Sequence, residues 1–231
     1  MGYWARRFGA CIGALLLVAC SHTNVKTATA ANFSWSGADK RLVLIDPDVE
    51  LSELSAAGVG QARADWTAEA KRLIAQHVST TLAEKQISLV PANAITEAKE
   101  IQLVRLHGTV GQAVLTHLYN PALKLPNKGD ALDWTLGPGA NALREHYGAD
   151  YALFVFVRDS YTSAARALVM LGAAAFGVGL QGGQQIGFAS LVDLRTGNIV
   201  WFNQLRSATG DLRTEEPAKS VVDNLIKDLP V

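Results

Sequence analysis

"ADYALFVFVRD", residues Ala149–Asp159, runs from Tyr151 to Val157 without a charged or turn-forming residue. A half-buried strand alternates apolar with polar side chains; this run is apolar on both faces, which is the pattern of a central strand covered on both sides. A strand of that kind implies a sheet with helices on both faces, and therefore an α/β domain.

The flanks agree with that reading. Upstream, "RLVLID" (Arg41–Asp46) is a short apolar run stopped by Pro47, a first strand. A polar loop follows. Then Trp66, Ala70, Leu73, Ile74, Val78 and Leu82 recur at helical spacing, with Asp65 as candidate N-cap. "ISLVP" (Ile87–Pro91) is a second strand, and the strand–helix–strand order implies parallel neighbours. Residues 92–119 are helical in pattern and are stopped by Asn120-Pro121. A loop covers 121–137, and a short helix is expected near Pro138–Tyr147. Downstream, Ile186–Leu205 reads as two strands around Arg195-Thr196-Gly197-Asn198, an antiparallel hairpin. The tail from Thr214 to Leu229 is amphipathic, a closing helix. The expected architecture of residues 39–231 is one α/β domain, a mixed sheet of about five strands with helices on both faces.

The amino terminus has a different character. Arg6 and Arg7 form a positive region, Cys11–Val18 a short apolar one, and Ala19 a small residue before a cleavage point. That is a secretory signal over residues 1–19, too short for a lasting membrane span. Leu17-Val18-Ala19-Cys20 resembles the lipobox of bacterial lipoproteins. The resemblance implies cleavage before Cys20, lipidation of its thiol and acylation of its new amino group. An ordinary signal peptide ending in Cys is the other reading. Cysteine usage favours the lipoprotein: Cys11 and Cys20 are the only two, so the mature chain keeps no thiol except the one that carries lipid. Ser21, in the position where Asp favours inner-membrane retention in that family, implies the outer membrane. Residues 20–38 are rich in Ser, Thr, Asn and Ala and read as a flexible tether.

"GADYALFVFV", a Gly-rich insert, "GFASLVDLRTGNIVWF" and a closing helix together resemble the α/β domain of three periplasmic families. These are the curli-secretion channel lipoproteins, the lipoprotein activator of penicillin-binding proteins, and the TolB amino-terminal domain. The likeness rests on the "ADY" strand and on Leu191, Asp193, Thr196, Gly197, Ile199, Val200 and Trp201. These residues belong to the fold and carry no catalysis. The resemblance implies an envelope protein that binds other proteins. The alternating polar and apolar hairpins that the curli channel lipoproteins send through the membrane are missing here.

Candidate chemistry is sparse. Asp46, Asp48 and Glu50 place carboxylates at alternate positions, oxygen ligands suited to a hard cation, but the Gly-bearing spacing of a Ca²⁺ loop is missing. An acidic loop after a strand is the reading adopted. His77, His107, His117 and His146 form no H-E-x-x-H, and are read as helix-face histidines. There is no G-x-S-x-G elbow, and the glycines after residue 171 lack the Gly-Lys-Ser/Thr of a phosphate loop. The expectation is therefore no enzyme, no metal and no cofactor. The whole chain has 21 basic and 21 acidic residues; losing Arg6 and Arg7 with the signal leaves the mature charge at 19 − 21 = −2. Such a balance offers nothing to nucleic acid.

One stretch remains. Ala167–Leu180, "ALVMLGAAAFGVGL", has no polar side chain. As a helix its fourteen residues would cover about 21 Å, short of the ~30 Å of a bilayer core. Leu171, Gly172, Phe176, Gly177 and Gly179 mark it as a candidate interaction segment, its small residues suited to close backbone approach. Core packing, a self-association or partner surface, and shallow membrane contact are all open. The function expected is a non-enzymatic periplasmic lipoprotein on the outer membrane, binding or assembling with envelope proteins. A subunit of an oligomeric export complex, using residues 167–180 as seam or membrane contact, is the alternative.

Overall fold

A computed structural model of the chain describes residues 23–35, 40–91, 97–208 and 211–231. The signal segment 1–19 and Cys20 lie outside the described residues. In chain order the elements are β1 (Asn24–Thr29), β2 (Leu42–Leu44), β3 (Asp48–Leu54), β4 (Gly60–Ala62), α1 (Ala64–Glu84), β5 (Leu89–Val90) and α2 (Ala98–His117). They continue with α3 (Asn141–Tyr147), β6 (Tyr151–Thr162), α4 (Ala164–Ala175), β7 (Gln185–Asp193), β8 (Ile199–Ser207) and α5 (Glu215–Leu225).

β6 is central, as its sequence requires. β7 pairs with it antiparallel from Tyr151↔Asp193 to Asp159↔Gln185. On its other side β2 pairs parallel with its first residues and β3 parallel with its last. Its two faces serve two cores. Leu153, Val155 and Val157 pack with Leu73, Ile74 and Val78 of α1 and Val222 and Leu225 of α5. Ala152, Phe154 and Phe156 pack with Leu103 and Val114 of α2 and Leu143 of α3. Burial of side chains this size contributes roughly 1.5–3 kcal/mol each, which is why the apolar run fixes the centre of the sheet.

The sheet is open and mixed, with the expected β2–β5 parallel pair and β7–β8 hairpin. Among the described residues it has eight strands, not about five. The three extra strands are β1, β3 and β4, and each lies in polar sequence. β1 occupies part of the stretch read as tether and pairs antiparallel with β8, Asn24↔Arg206 to Thr29↔Trp201. An edge strand exposes one side, so polar residues suit it. β3 lies in what reads as a polar loop; its Val49 and Leu51 point to the core and Glu50 to solvent. Pro47 does not end the pairing with β6. It sits in a joint where Leu44 faces Leu153 and Asp48 faces Phe156, four steps against three, so β2 and β3 form one bent edge along the same partner.

Two local expectations also change. Arg63, not Asp65, precedes the first turn of α1, and Asp65 lies inside that turn bonded to the Arg63 guanidinium. Gly197 does adopt positive φ, +78°, in the β7–β8 turn. The Asp193 carboxylate accepts the Arg195 and Thr196 amides there, and Leu136 N–H donates to the Gly197 carbonyl.

Candidate functional site

β2 and β5 are parallel and end side by side, with α1 and α2 on opposite faces. In an open α/β sheet the crevice beyond the carboxyl ends of such strands is where ligands bind. Here it is a cleft of about 1070 Å³. Leu44, Ala75, Val90, Ile101 and Val104 form apolar walls, and Asp46, Asp48, Lys71 and Arg105 bring charge of both signs to it. Lys71 Nζ donates to Asp46 Oδ2 at 3.3 Å, and Arg158 Nη2 lies 2.9 Å from Asp48 Oδ1. Arg105 has no ion pair among the described residues. Apolar walls with both signs of charge suit a peptide-like ligand and do not suit a polyanion.

The acidic trio is thus placed differently from the loop expected. Asp48 and Glu50 stand on β3, both toward Arg158, with Glu50 Oε2 at 3.9 Å from its Nε. Among the described residues no three His, Cys, Asp or Glu side chains are grouped to hold a metal ion.

The candidate segment 167–180 lies in the connection between β6 and β7, and the structure removes the core-packing alternative. α4 has no buried residue. Leu168 is 71%, Leu171 69% and Phe176 88% exposed, and Val169 and Val178 are also open to solvent. Close backbone approach fails too: a Cβ added at Gly172, Gly177 or Gly179 would meet nothing within 4 Å. The reason is geometric. β6 and β7 already pair with each other, so the chain between them leaves the sheet and has no layer to pack under. Its base, in contrast, is tightly fixed. Ser163 Oγ caps the helix by accepting Arg166 N–H at 3.1 Å, and the Arg166 guanidinium donates to the carbonyls of Ala56 and Gln181. A Cβ on Gly183 would lie 2.1 Å from the Ser160 carbonyl oxygen, so the returning chain is pressed against β6.

Of the buried polar groups that the sequence does not reveal, His107 and Asp159 are the two whose titration is strongly shifted. His107 is not on an exposed helix face. It is buried, with Nε2 2.6 Å from Ser190 Oγ of β7 and its ring stacked on Phe154 at 4.5 Å. Burial pushes its pKa down to about 3, so it stays neutral. Ser190 is fully buried as well, which leaves this pair no access to a substrate. A signal was available in the sequence: Gly108 and Gly111 sit on the same stretch of helix, and a Cβ at Gly111 would fall 2.1 Å from the Phe188 ring. Asp159, at the end of the apolar run, is the second group. Burial raises its pKa to about 6, against the hydrogen bonds it accepts from Tyr161 Oη at 2.6 Å and Gln185 Nε2 at 2.7 Å. Tyr161 Oη in turn accepts Leu212 N–H, tying β6 to the segment before α5. The other histidines are dispersed: His77 faces Glu215, His146 faces Glu100, and His117 Nδ1 lies 2.7 Å from the Leu123 carbonyl.

No family model and no curated protein matches the sequence. Among solved structures the chain is similar to a PelC dodecamer from Paraburkholderia phytofirmans, with 12% identity, 91% of this chain and 99% of that one covered, and a TM-score of 0.41. It is similar to the LpoB C-terminal domain from Salmonella enterica at 14% identity, covering 77% and 86%, with a TM-score of 0.31. It is also similar to the lipoprotein GNA1162 from Neisseria meningitidis at 15% identity, covering 82% and 98%, with a TM-score of 0.35.

Proposed function

We propose that the chain is a non-enzymatic lipoprotein, held through Cys20 at the periplasmic face of the outer membrane, that binds a segment of another envelope protein in the cleft between α1 and α2. The observation that carries the reading is the position of Leu17-Val18-Ala19-Cys20, which sets the only remaining thiol four residues before the first strand. Acyl chains contribute about 0.8 kcal/mol per buried methylene, so several on one terminus hold a protein durably. Ser21 points to the outer membrane.

The cleft supplies the binding half: apolar walls for side chains, and Lys71, Arg105, Asp46 and Asp48 for the charges of a peptide. Two measurements test the two halves. Cys20→Ser should leave unprocessed precursor or release the domain from the membrane fraction; palmitate labelling of that variant at the normal level would exclude the anchor. A photo-crosslinking residue in place of Ser79 or Ile101 should trap one discrete envelope protein, while one in place of Arg195, on the distant β7–β8 turn, should not. Equal products from all three sites would exclude the cleft.

The exposed α4 favours a second reading, a subunit of an oligomeric export complex with α4 as seam or membrane contact. The mass of the detergent-extracted protein separates the two: a monomer or dimer for an adaptor, a large ring for an export subunit.

A further inference from the structure

The sheet register places α4 relative to the anchor. Asn24 faces Arg206, Arg206 faces Ile186, and Ile186 faces Arg158, so one row crosses β1, β8, β7 and β6. Asn24 therefore stands three strand spacings, about 14 Å, from β6. β1 runs away from that row, so its start, at Thr23 and Asn24, lies toward the end of the sheet where β6 finishes. β6 continues from Arg158 to Thr162 and Ser163 then begins α4, a rise of roughly 13 Å beyond the row. The four steps from Asn24 back to Cys20 span at most about 14 Å. That maximum is no shorter than the rise, so a bilayer taking acyl chains from Cys20 can come to the level at which α4 emerges.

The surface at that end is suited to lipid. Leu54 pairs with Thr162 in register, so the β3–β4 connection lies there too, and its Val59 is 63% exposed. Val59, Leu168, Val169, Leu171, Phe176 and Val178 are six of the nine large apolar side chains most exposed among the described residues. Contiguous apolar surface of this kind marks a protein or membrane contact. Arg166, the one charge on α4, is turned inward onto the Ala56 and Gln181 carbonyls. α4 has twelve residues, about 18 Å, and no described helix is long and apolar enough to cross a membrane. It can enter only the outer part of one leaflet.

We infer that α4 and the Val59 loop form a second, non-covalent membrane contact that seats the domain on the bilayer holding its Cys20 lipid, so that the protein lies against the membrane instead of hanging from a tether. The inference rests on the lipoprotein reading, and its occupant is the lipid surface, not a second copy or a partner protein.

The test uses the mature lipidated protein in vesicles of phosphatidylethanolamine and phosphatidylglycerol. Acylation consumes the Cys20 thiol and cleavage removes Cys11, so an introduced cysteine is unique. An environment-sensitive probe is attached in Leu171→Cys, Phe176→Cys and Arg195→Cys, the last at the opposite end of the sheet. The probes at 171 and 176 should shift to the blue and lose most of their emission when the vesicles carry nitroxide-labelled phospholipid, while the probe at 195 should do neither. Aqueous, unquenched probes at 171 and 176 on an acylated, vesicle-bound protein would overturn the seat and leave the anchor standing. Blue-shifted probes that lipid nitroxide does not quench, with a doubled or larger mass in detergent, would assign the face to a second copy and overturn it equally. A mature chain whose mass shows no acyl group would overturn both the anchor and the seat.

Discussion

β6 and α4 are consecutive in the chain and nearly equal in length and apolar content, yet their environments are opposite. From Ala152 to Val157 every side chain of β6 is buried; in α4 none is. Hydrophobicity does not distinguish them. What does is the number of layers available. β6 has a strand on each edge and a helix layer on each face, so each of its side chains meets a partner. α4 leaves the sheet between two strands that have already closed on each other. Its apolar atoms face outward, and only Arg166, Met170 and Ala173 are partly turned to the body. An apolar run followed by another apolar run can thus mean a core and then a surface for something outside the fold.

The comparison breaks most readily on the β6 side. Phe154→Ala removes a ring that is 2% exposed and stacked on His107. The loss should be ~3–5 kcal/mol, measured as a lowered urea midpoint at constant slope. A loss below 1 kcal/mol would mean that the centre of the sheet is not where the register puts it. Next in size is Gly197→Val in the turn that closes the β7–β8 hairpin. Positive φ strains a β-branched residue, and an added Cβ would lie 2.0 Å from the Gly137 carbonyl oxygen. About 3 kcal/mol, the upper end of such strain, is expected. An unchanged melting temperature would exclude this turn geometry.

The same contrast explains how much could be read from the sequence. The buried elements β2, β6, β7 and β8 are legible because burial demands apolar runs, half-buried β5 because it lies in the short apolar run Ile87–Val90, and α1, α2 and α5 because one face of each is apolar. The edge strands are not. β1 is held by backbone bonds to β8, and its side chains Asn24, Lys26 and Thr29 are those of a loop. β3 was accessible, since Val49 and Leu51 alternate with Asp48 and Glu50, but Pro47 hides its continuity with β2. The apolar segment 167–180 is legible as exceptional and not as exposed, because nothing in its composition states that the sheet has no room for it. The cleft is invisible in the sequence for a related reason. Asp46, Lys71 and the α2 pair Ile101 and Arg105 are far apart in the chain and meet only because β2 and β5 end together between α1 and α2.

A pH series sharpens the comparison, since the layers around β6 hold two buried groups, His107 and Asp159, whose shifts fall in the acid range, and α4 holds no titratable group but Arg166. His107, lowered to about 3, is neutral in the fold while the unfolded chain takes up a proton below ~6.5. Its contribution is complete above pH 6.5 and is lost as pH falls toward 3, by at most ~1.4 kcal/mol per unit. Asp159, raised to about 6, acts in the opposite sense: its contribution is complete below pH ~3.8 and is lost as pH rises through 6. Between pH 4 and 6 the two slopes oppose each other, so stability should be nearly flat there and fall below 4. Asp159→Asn should uncover the His107 slope from pH 6.5 downward, and His107→Gln should lessen the fall below 4, the remainder belonging to carboxylates such as Asp211 that Arg213 holds low. Urea midpoints collected from pH 3.5 to 7 decide it; parallel curves for all three proteins would show that neither shift operates.

The smallest effect is expected where a sequence reading would look for one of the largest. Leu171→Ser replaces an apolar side chain at the middle of the longest stretch without polar residues. In β6 the same change would leave a buried hydroxyl in a core. In α4 the side chain is 69% exposed, and serine costs the helix only a few tenths of a kcal/mol in propensity. Stability should therefore stay within about 0.5 kcal/mol of the parent, in water and without lipid. The retained fold makes the variant useful, because any loss of membrane seating or of assembly then reports on the face itself and not on a collapsed domain. A loss of 2 kcal/mol or more would place Leu171 in a packed environment, and the division between a buried β6 and an open α4 would fail at its outer half.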